Sequence, residues 1–398
     1  MNVKYLKQYL IAYKEKFAYI NREELYKWRA VKHFHDHWDI NASDFSEMLS
    51  RAIEETFNLL KSGQYFPLRM IVAFAEREPE TIRRLFTDLY DEQQDMERRM
   101  YRFQQVAREL NLKYFPNRRN TYQDFRAIIV YLSLRYPEIH YLYKYKMYEK
   151  FSEKLYLTKP KAGSFETIIH YYKVCNIVRH HISEDQQLLK LHKDRIGKDC
   201  YYDENLHILT QDFIYAVVRH LDAIQVTDTP SHPSINYHAI ESPRVATDVR
   251  ENPNFEGRFV NFLENSIEAK RIGDLGELWV FEQEKLKLEA AGLSKLARKV
   301  RMVSNEDGDG TGYDIHSYGL DGKDIFIEVK TTKGALGNTF HVTRNELERS
   351  RKEGDRYYLY RVYNLEEKTN RADCRIFRGD MSDICLTPST YRVRFKNN

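Results

Sequence analysis

Three residues in the last quarter of the chain could do chemistry together: Asp314, Glu328 and Lys330, spaced D-x13-E-x-K. Hard divalent cations prefer oxygen ligands, and one or two carboxylates suffice when phosphate and water supply the rest. Asp314 and Glu328 are therefore candidate ligands for Mg²⁺, with Mn²⁺ as a substitute. A lysine two residues past the second carboxylate on a strand points into the same space. There its ammonium can hold a phosphate oxygen or a water on the metal, which makes Lys330 the candidate catalytic cation.

For these groups to meet, the chain between them must reverse. Residues 312–317 alternate Tyr313 and Ile315 with Asp314 and His316, as a strand does. Residues 324–332 put Ile325, Ile327 and Val329 on one face and Phe326, Glu328 and Lys330 on the other. The intervening GLDGK holds Asp321-Gly322, a pair suited to a tight turn because glycine accepts positive φ. A hairpin symmetric about Asp321 sets Ile315 opposite Ile327 and Asp314 opposite Glu328. Two carboxylates facing across a ladder, ~5 Å apart at Cβ, repel each other and weaken the sheet. An exposed hairpin with solvated charges gives no reason for that placement, whereas a cation between them does.

The flanks supply a framework. Residues 272–293 read as a helix, with Trp279, Leu286, Ala290 and Leu293 at helical spacing and Glu277 in the first turn, where the helix dipole favours a carboxylate. A strand from Lys299 (KVRMVS) and the glycine-rich loop NEDGDGTG lead to Asp314. Beyond the hairpin, Thr343 and Glu346 form a capping box opening a helix to about Lys352, and RYYLYRVY from Arg356 reads as a further strand.

Five segments carry a family resemblance: GELWV at Gly276, GYDI at Gly312, IEVKTT at Ile327, TRNEL at Thr343 and YRVY at Tyr360. In this order they resemble the NO VEIN C-terminal domain family, a branch of the PD-(D/E)xK nuclease superfamily, over residues 271–363. The resemblance implies Asp314 and Glu328 as metal ligands, the carbonyl of Val329 as a further ligand and Lys330 as the catalytic lysine. It also implies Glu277 as a helix carboxylate that binds a second metal or orients a water. It further implies a restriction-type or anti-phage setting, with nucleic acid as partner and DNA favoured over RNA.

Composition sets the bounds. At 398 residues the chain has room for two to three domains. Lys and Arg total 63 against 59 Asp and Glu, so any nucleic-acid surface must be local rather than global. With 30 tyrosines and 21 phenylalanines, disorder is not expected over most of the length. Cys175, Cys200, Cys374 and Cys385 are scattered without a C-x-x-C pair, which suits reduced thiols and a cytoplasmic location. The opening MNVKYLKQYL lacks the apolar core of a signal peptide, and no stretch reaches the ~18 apolar residues a membrane span needs.

Residues 1–225 read as an all-α domain that could serve as sensor, partner-binding or nucleic-acid-binding module, or as an oligomer contact. Asp44 with Glu47, Asp95, Asn120 and Ser164 are the expected helix starts, and Pro67 and Pro79 precede or open others. His33, His35 and His37 alternate, but on a helix residues two apart splay by ~200° and do not converge on a metal. Residues 136–150 (YPEIHYLYKYKMYEK) interleave aromatics with Lys144, Lys146 and Lys150, either as a single-strand-binding surface or as a helix with tyrosines packed inward. His180 and His181 beside Arg179 have no recognisable acid/base partner and read as structural. Pro230, Pro233, Pro243 and Pro253 make 226–255 the expected linker, followed by a short helix within 258–270. A strand at CRIFRG and the basic YRVRFKNN complete the chain.

The expected fold is α+β overall: an all-α amino-terminal domain (1–225), a proline-rich linker (226–255) and an α/β restriction-endonuclease-like domain (256–398). The expected function is a Mg²⁺-dependent endonuclease. A non-catalytic nucleic-acid- or protein-binding module that keeps the nuclease fold is the rival.

Overall fold

Short polar side chains start many helices of the first unit, because each can accept from the otherwise unpaired amides of a first turn. The computed structural model describes residues 2–160, 163–223, 233–242, 262–303 and 311–385. They divide between two units, Met1–Pro230 and Ser231–Asn398.

The first unit is helical. Among its described residues run α1 (Val3–Glu15), α2 (Phe17–Glu24), α3 (Tyr26–His37), α4 (Phe45–Ile53), α5 (Pro67–Arg77) and α6 (Pro79–Leu89), then α7 (Met96–Tyr114), α8 (Phe125–Arg135), α9 (Tyr145–Lys154), α10 (Phe165–Ser183), α11 (Gln186–Arg195) and α12 (His207–Arg219). Asp44, Asp95 and Asp185 cap α4, α7 and α11 through their side chains, and Pro67 and Pro79 open α5 and α6. The expected cap at Asn120 is corrected: Asp124 caps α8, while Asn120 turns its side chain onto the amide of Tyr122. The abundant aromatics form the interior, where Phe86 meets Trp38, Tyr90, Phe103 and Tyr131 at centroid separations of 5.3–5.6 Å.

The second unit is built on a six-stranded mixed sheet in the order β1-β6-β5-β4-β3-β2. Its elements are β1 (Ser234–Glu241), α13 (Phe262–Ala290), α14 (Ser294–Ala297), β2 (Arg301–Met302), β3 (Ile315–Tyr318), β4 (Asp324–Thr331), α15 (Arg344–Glu353), β5 (Tyr357–Glu366) and β6 (Arg371–Arg378). Two expectations are corrected here. Residues 234–241 are not linker but an edge strand parallel to β6; Pro233 stands just before it, where a missing amide disturbs no ladder. The separate helices expected within 258–270 and over 272–293 are one helix, α13, so Glu277 lies about four turns from its start rather than in its first turn. Pro230, Pro243, Pro253, most of the glycine-rich loop before Asp314 and the YRVRFKNN end lie outside the described residues.

The sheet has two distinct faces. Ile315, Ile327, Val329 and Thr331 face α13, whose backbone at Gly276 leaves no room for a Cβ: one would lie 2.0 Å from Thr331 Oγ1. Glu284 of α13 is pinned to the same face by Ser317 Oγ (2.7 Å) and the Tyr360 hydroxyl (2.9 Å). On the other face Tyr357 and Leu359 form an apolar cluster with Phe326 and with Leu347 of α15.

Candidate active site

The β3–β4 hairpin turns at Gly322 (φ +80°), with Gly322 N–H donating to Gly319 O at 2.9 Å. Its register pairs Ile315 with Ile327 and Ser317 with Ile325. Asp314 immediately precedes β3 and extends the pairing: its amide donates to Ile327 O (2.9 Å), and its carbonyl accepts from Val303 (2.7 Å). Its carboxylate Oδ2 accepts the Val329 amide at 2.8 Å. Val329 thus holds Asp314 through its N–H. Asp314 is fixed by backbone at both main-chain ends and at its side chain.

The approach to Asp314 is seated on α15. Gly312 has φ +70°, and a Cβ there would lie 2.5 Å from the carbonyl oxygen of Asn345. Only glycine allows both the conformation and the contact. The Tyr357 hydroxyl donates to Gly312 O at 3.2 Å from the floor of the sheet. α15 itself opens with the capping box: Glu346 N–H donates to Thr343 Oγ1 (3.3 Å), and Thr343 N–H to Glu346 Oε2 (3.1 Å).

Glu346 has a second role that its capping box conceals. Lys330 Nζ lies 2.8 Å from Glu328 Oε1 and 2.9 Å from Glu346 Oε2, so the ammonium bridges strand and helix. Asp314, Glu328 and Lys330 share one face of the sheet, and Asp314 and Glu328 are each 5% exposed. Burial, and after it the negative charge of Asp314, pushes the Glu328 carboxyl well above its usual pKa, with Lys330 opposing. Burial disfavours the Lys330 ammonium, but Glu328 and Glu346 outweigh it and raise its pKa. Two carboxylates thus share one lysine, and Asp314 acts on Glu328 from the same face. Arg361, beside Lys330 across the ladder, directs its guanidinium to the carbonyls of Lys330 (3.2 Å) and Asn338 (2.9 Å) instead.

Glu277 arrives from elsewhere. It is buried on α13, the helix that covers the opposite face of the sheet. Asp314, Glu328 and Glu277 do not form a group with all ligand atoms within 4.8 Å of one another; among the described residues His180, His181 and Glu184 do. That triplet closes α10, with His180 Nε2 3.3 Å from Glu184 Oε1, and its two imidazoles are not the oxygen donors Mg²⁺ prefers. His33, His35 and His37 each contact a different backbone carbonyl, of Arg51, Leu134 and His33. The four cysteines are unpaired, and no described helix is long and apolar enough to cross a membrane.

Residues 276–375 match the family described as Protein NO VEIN, C-terminal. The matched segment, about a quarter of the chain, spans Glu277, Asp314, Glu328, Lys330 and Glu346, and it leaves the helical unit outside. No curated protein and no solved structure matched the chain.

Proposed function

We propose that the second unit is a metal-dependent phosphodiesterase of the PD-(D/E)xK type, with a restriction-endonuclease-like fold, that cleaves nucleic acid, DNA in preference to RNA. The observation that carries this reading is a buried lysine shared by Glu328 and Glu346, with Asp314 pushing up the Glu328 pKa on the same face of the sheet. Asp314 and Glu328 offer buried hard oxygen donors that repel each other, the donor set that would hold Mg²⁺ or Mn²⁺. When bound, such a cation acts as a Lewis acid toward a phosphate oxygen and an attacking water.

The chain's own groups do the positioning. The Val329 amide holds Asp314, so one donor needs no reorganisation on binding. Glu346 keeps Lys330 charged and aimed, and that ammonium can stabilise the charge that develops on the phosphate. Glu277, carried on α13, is assigned a positioning role. The resemblance to restriction-type proteins makes foreign DNA the expected substrate and the helical unit the part that receives a partner.

Incubating the full chain with single- and double-stranded DNA and RNA tests this reading. Cleavage of DNA is expected with Mg²⁺ or Mn²⁺ and none with EDTA. Asp314→Asn should remove it, since losing a metal ligand costs several kcal/mol of transition-state stabilisation, roughly a thousandfold or more in rate. Lys330→Ala should slow turnover while metal binding persists. Wild type inert on all four substrates with both metals would leave the fold as a binding module; equal cleavage by wild type and Asp314→Asn would place the active site elsewhere.

A further inference from the structure

Two of the motifs that stand out in the helical unit resolve into packing. The run 136–150 turns its tyrosines inward, with Tyr141 and Tyr148 buried and hydrogen-bonded to Asn176 and His170. His33 and His37 stack with 4.1 Å between ring centroids, but each gives a ring nitrogen to a separate backbone carbonyl. A third motif, His180-His181, gains an acidic partner in the fold. Glu184 follows His180 by four residues, which brings it onto the same helix face. One ligand atom from each of His180, His181 and Glu184 lies within 4.8 Å of the other two.

The fold prepares this corner for a cation. Glu184 is the C-cap of α10, and a helix carboxyl end carries partial negative charge that favours cations. The Glu184 amide and Ser183 Oγ both donate to His180 O, at 3.2 and 2.8 Å, and hold the backbone there. His181 is buried, so packing sets its ring, while the side chains of His180 (17% exposed) and Glu184 (64%) keep the corner open to solvent. The two imidazoles stand edge to face, 5.4 Å between centroids. His180 Nε2 and Glu184 Oε1 are 3.3 Å apart. Two ligands of one tetrahedral zinc, each at ~2.0–2.1 Å, are themselves ~3.3 Å apart, so this pair spans one edge of a coordination sphere. An ion pair between His180 and Glu184 does not account for the approach of His181. Neighbouring cations are turned elsewhere: the Arg179 guanidinium donates to Asn205 O (3.2 Å), and Lys14 Nζ lies 2.6 Å from Asp185.

We propose that His180, His181 and Glu184 bind a zinc ion at the close of α10. Two imidazole nitrogens and one carboxylate oxygen suit zinc and its neighbouring transition metals, whereas Mg²⁺ takes oxygen donors. Three protein ligands leave the fourth position to water, the donor count of an open zinc site. The ion ties the last turn of α10 to the cap residue that leads into α11, and so stabilises the helical unit. The proposal is independent of the hydrolytic reading, because it uses no residue of the sheet unit and a different class of metal.

Calorimetric titration with zinc chloride of the full chain, stripped of metal by a chelator that is then removed, tests it. One zinc per chain should bind with a Kd of about 1 μM or below, and millimolar Mg²⁺ should not displace it. Losing a group that only orients a ligand costs about 10–100-fold in metal affinity, so His180→Gln and Glu184→Gln should each weaken zinc by about a hundredfold or more. Glu184 is exposed, and its variant decides the matter if His180→Gln does not fold. Asp314→Asn and His33→Gln should bind zinc as wild type does, which separates this corner from the sheet cluster and from the stacked histidines. No saturable zinc binding, displacement by Mg²⁺, unchanged affinity in Glu184→Gln, or loss of the zinc in Asp314→Asn or His33→Gln would overturn the assignment.

Discussion

Each unit buries a lysine among carboxylates, and the two clusters differ in charge balance. In the helical unit Lys27 Nζ lies 2.8 Å from Asp212 and 3.1 Å from Glu24, while Arg195 lies 3.6 Å from Asp212 and the Tyr13 hydroxyl donates to Asp212 at 2.5 Å. Two cations meet two carboxylates there. Burial alone would raise the Asp212 pKa, yet Lys27 and Arg195 outweigh it and hold the carboxyl below its usual range. In the sheet unit one lysine meets two carboxylates, Glu328 and Glu346, and burial with the nearby charge of Asp314 drives the Glu328 pKa up instead. Equal burial therefore produces opposite shifts. The balanced cluster is complete as folded and ties α3 to α12; in the other, two carboxylates share one lysine and the Glu328 pKa is raised, which is the property of a site rather than of a strut.

Breaking the balanced cluster should have the largest effect. Asp212→Asn leaves Lys27 and Arg195 buried with one carboxylate between them, and removing one partner of a buried pair costs about 3–5 kcal/mol. Chemical denaturation of wild type and variant measures it; a loss below 1 kcal/mol would mean that the cluster does not hold the helices together.

The two clusters should also answer pH in opposite senses. The Asp212 pKa is depressed on folding, so its contribution is present above the unfolded value and is lost as pH falls through the folded one. The Glu328 pKa is raised, so its contribution is present below the unfolded value and is lost as pH rises through the folded one. In metal-free buffer, Glu328→Gln should therefore gain on wild type in stability as pH rises above ~4.3. Stability curves that stay parallel across that range would remove the contrast.

Asp314→Asn should have the smallest effect on stability. Asparagine keeps an oxygen for the Val329 amide and relieves the repulsion from Glu328, worth ~0.2–1 kcal/mol in a sheet. Without metal the variant should be as stable as wild type or slightly more so. A loss of several kcal/mol in the same denaturation assay would show Asp314 to be a structural anchor first.

The hairpin was legible in the sequence because turn chemistry and alternation agree: Gly322 fixes the reversal, and the apolar positions then fix the face. Glu346 was legible only as half of a capping box, a local explanation that left nothing over to suggest a partner sixteen residues away on β4. A capping glutamate placed after a strand with an unmatched lysine is the signal that was available. The sequence offered no start for α13, whose glycines 273 and 276 mimic a boundary although Gly276 serves close contact with Thr331. β1 was hidden by neighbouring prolines, which an edge strand tolerates at its start. In the helical unit, caps and periodicity were readable, but the pairing of Lys27 with Asp212 joins residues 185 positions apart and has no local signature.

The claim that the sheet cluster takes up a cation is tested most directly by thermal unfolding of the full chain with and without Mg²⁺, for wild type, Lys330→Ala and Asp314→Asn. Ligand present at a hundredfold over its Kd stabilises the state that binds it by about 2.7 kcal/mol. Wild type and Lys330→Ala should unfold at higher temperature as Mg²⁺ is added, and Asp314→Asn should not respond. An unresponsive wild type, or an equal response in wild type and Asp314→Asn, would contradict the account.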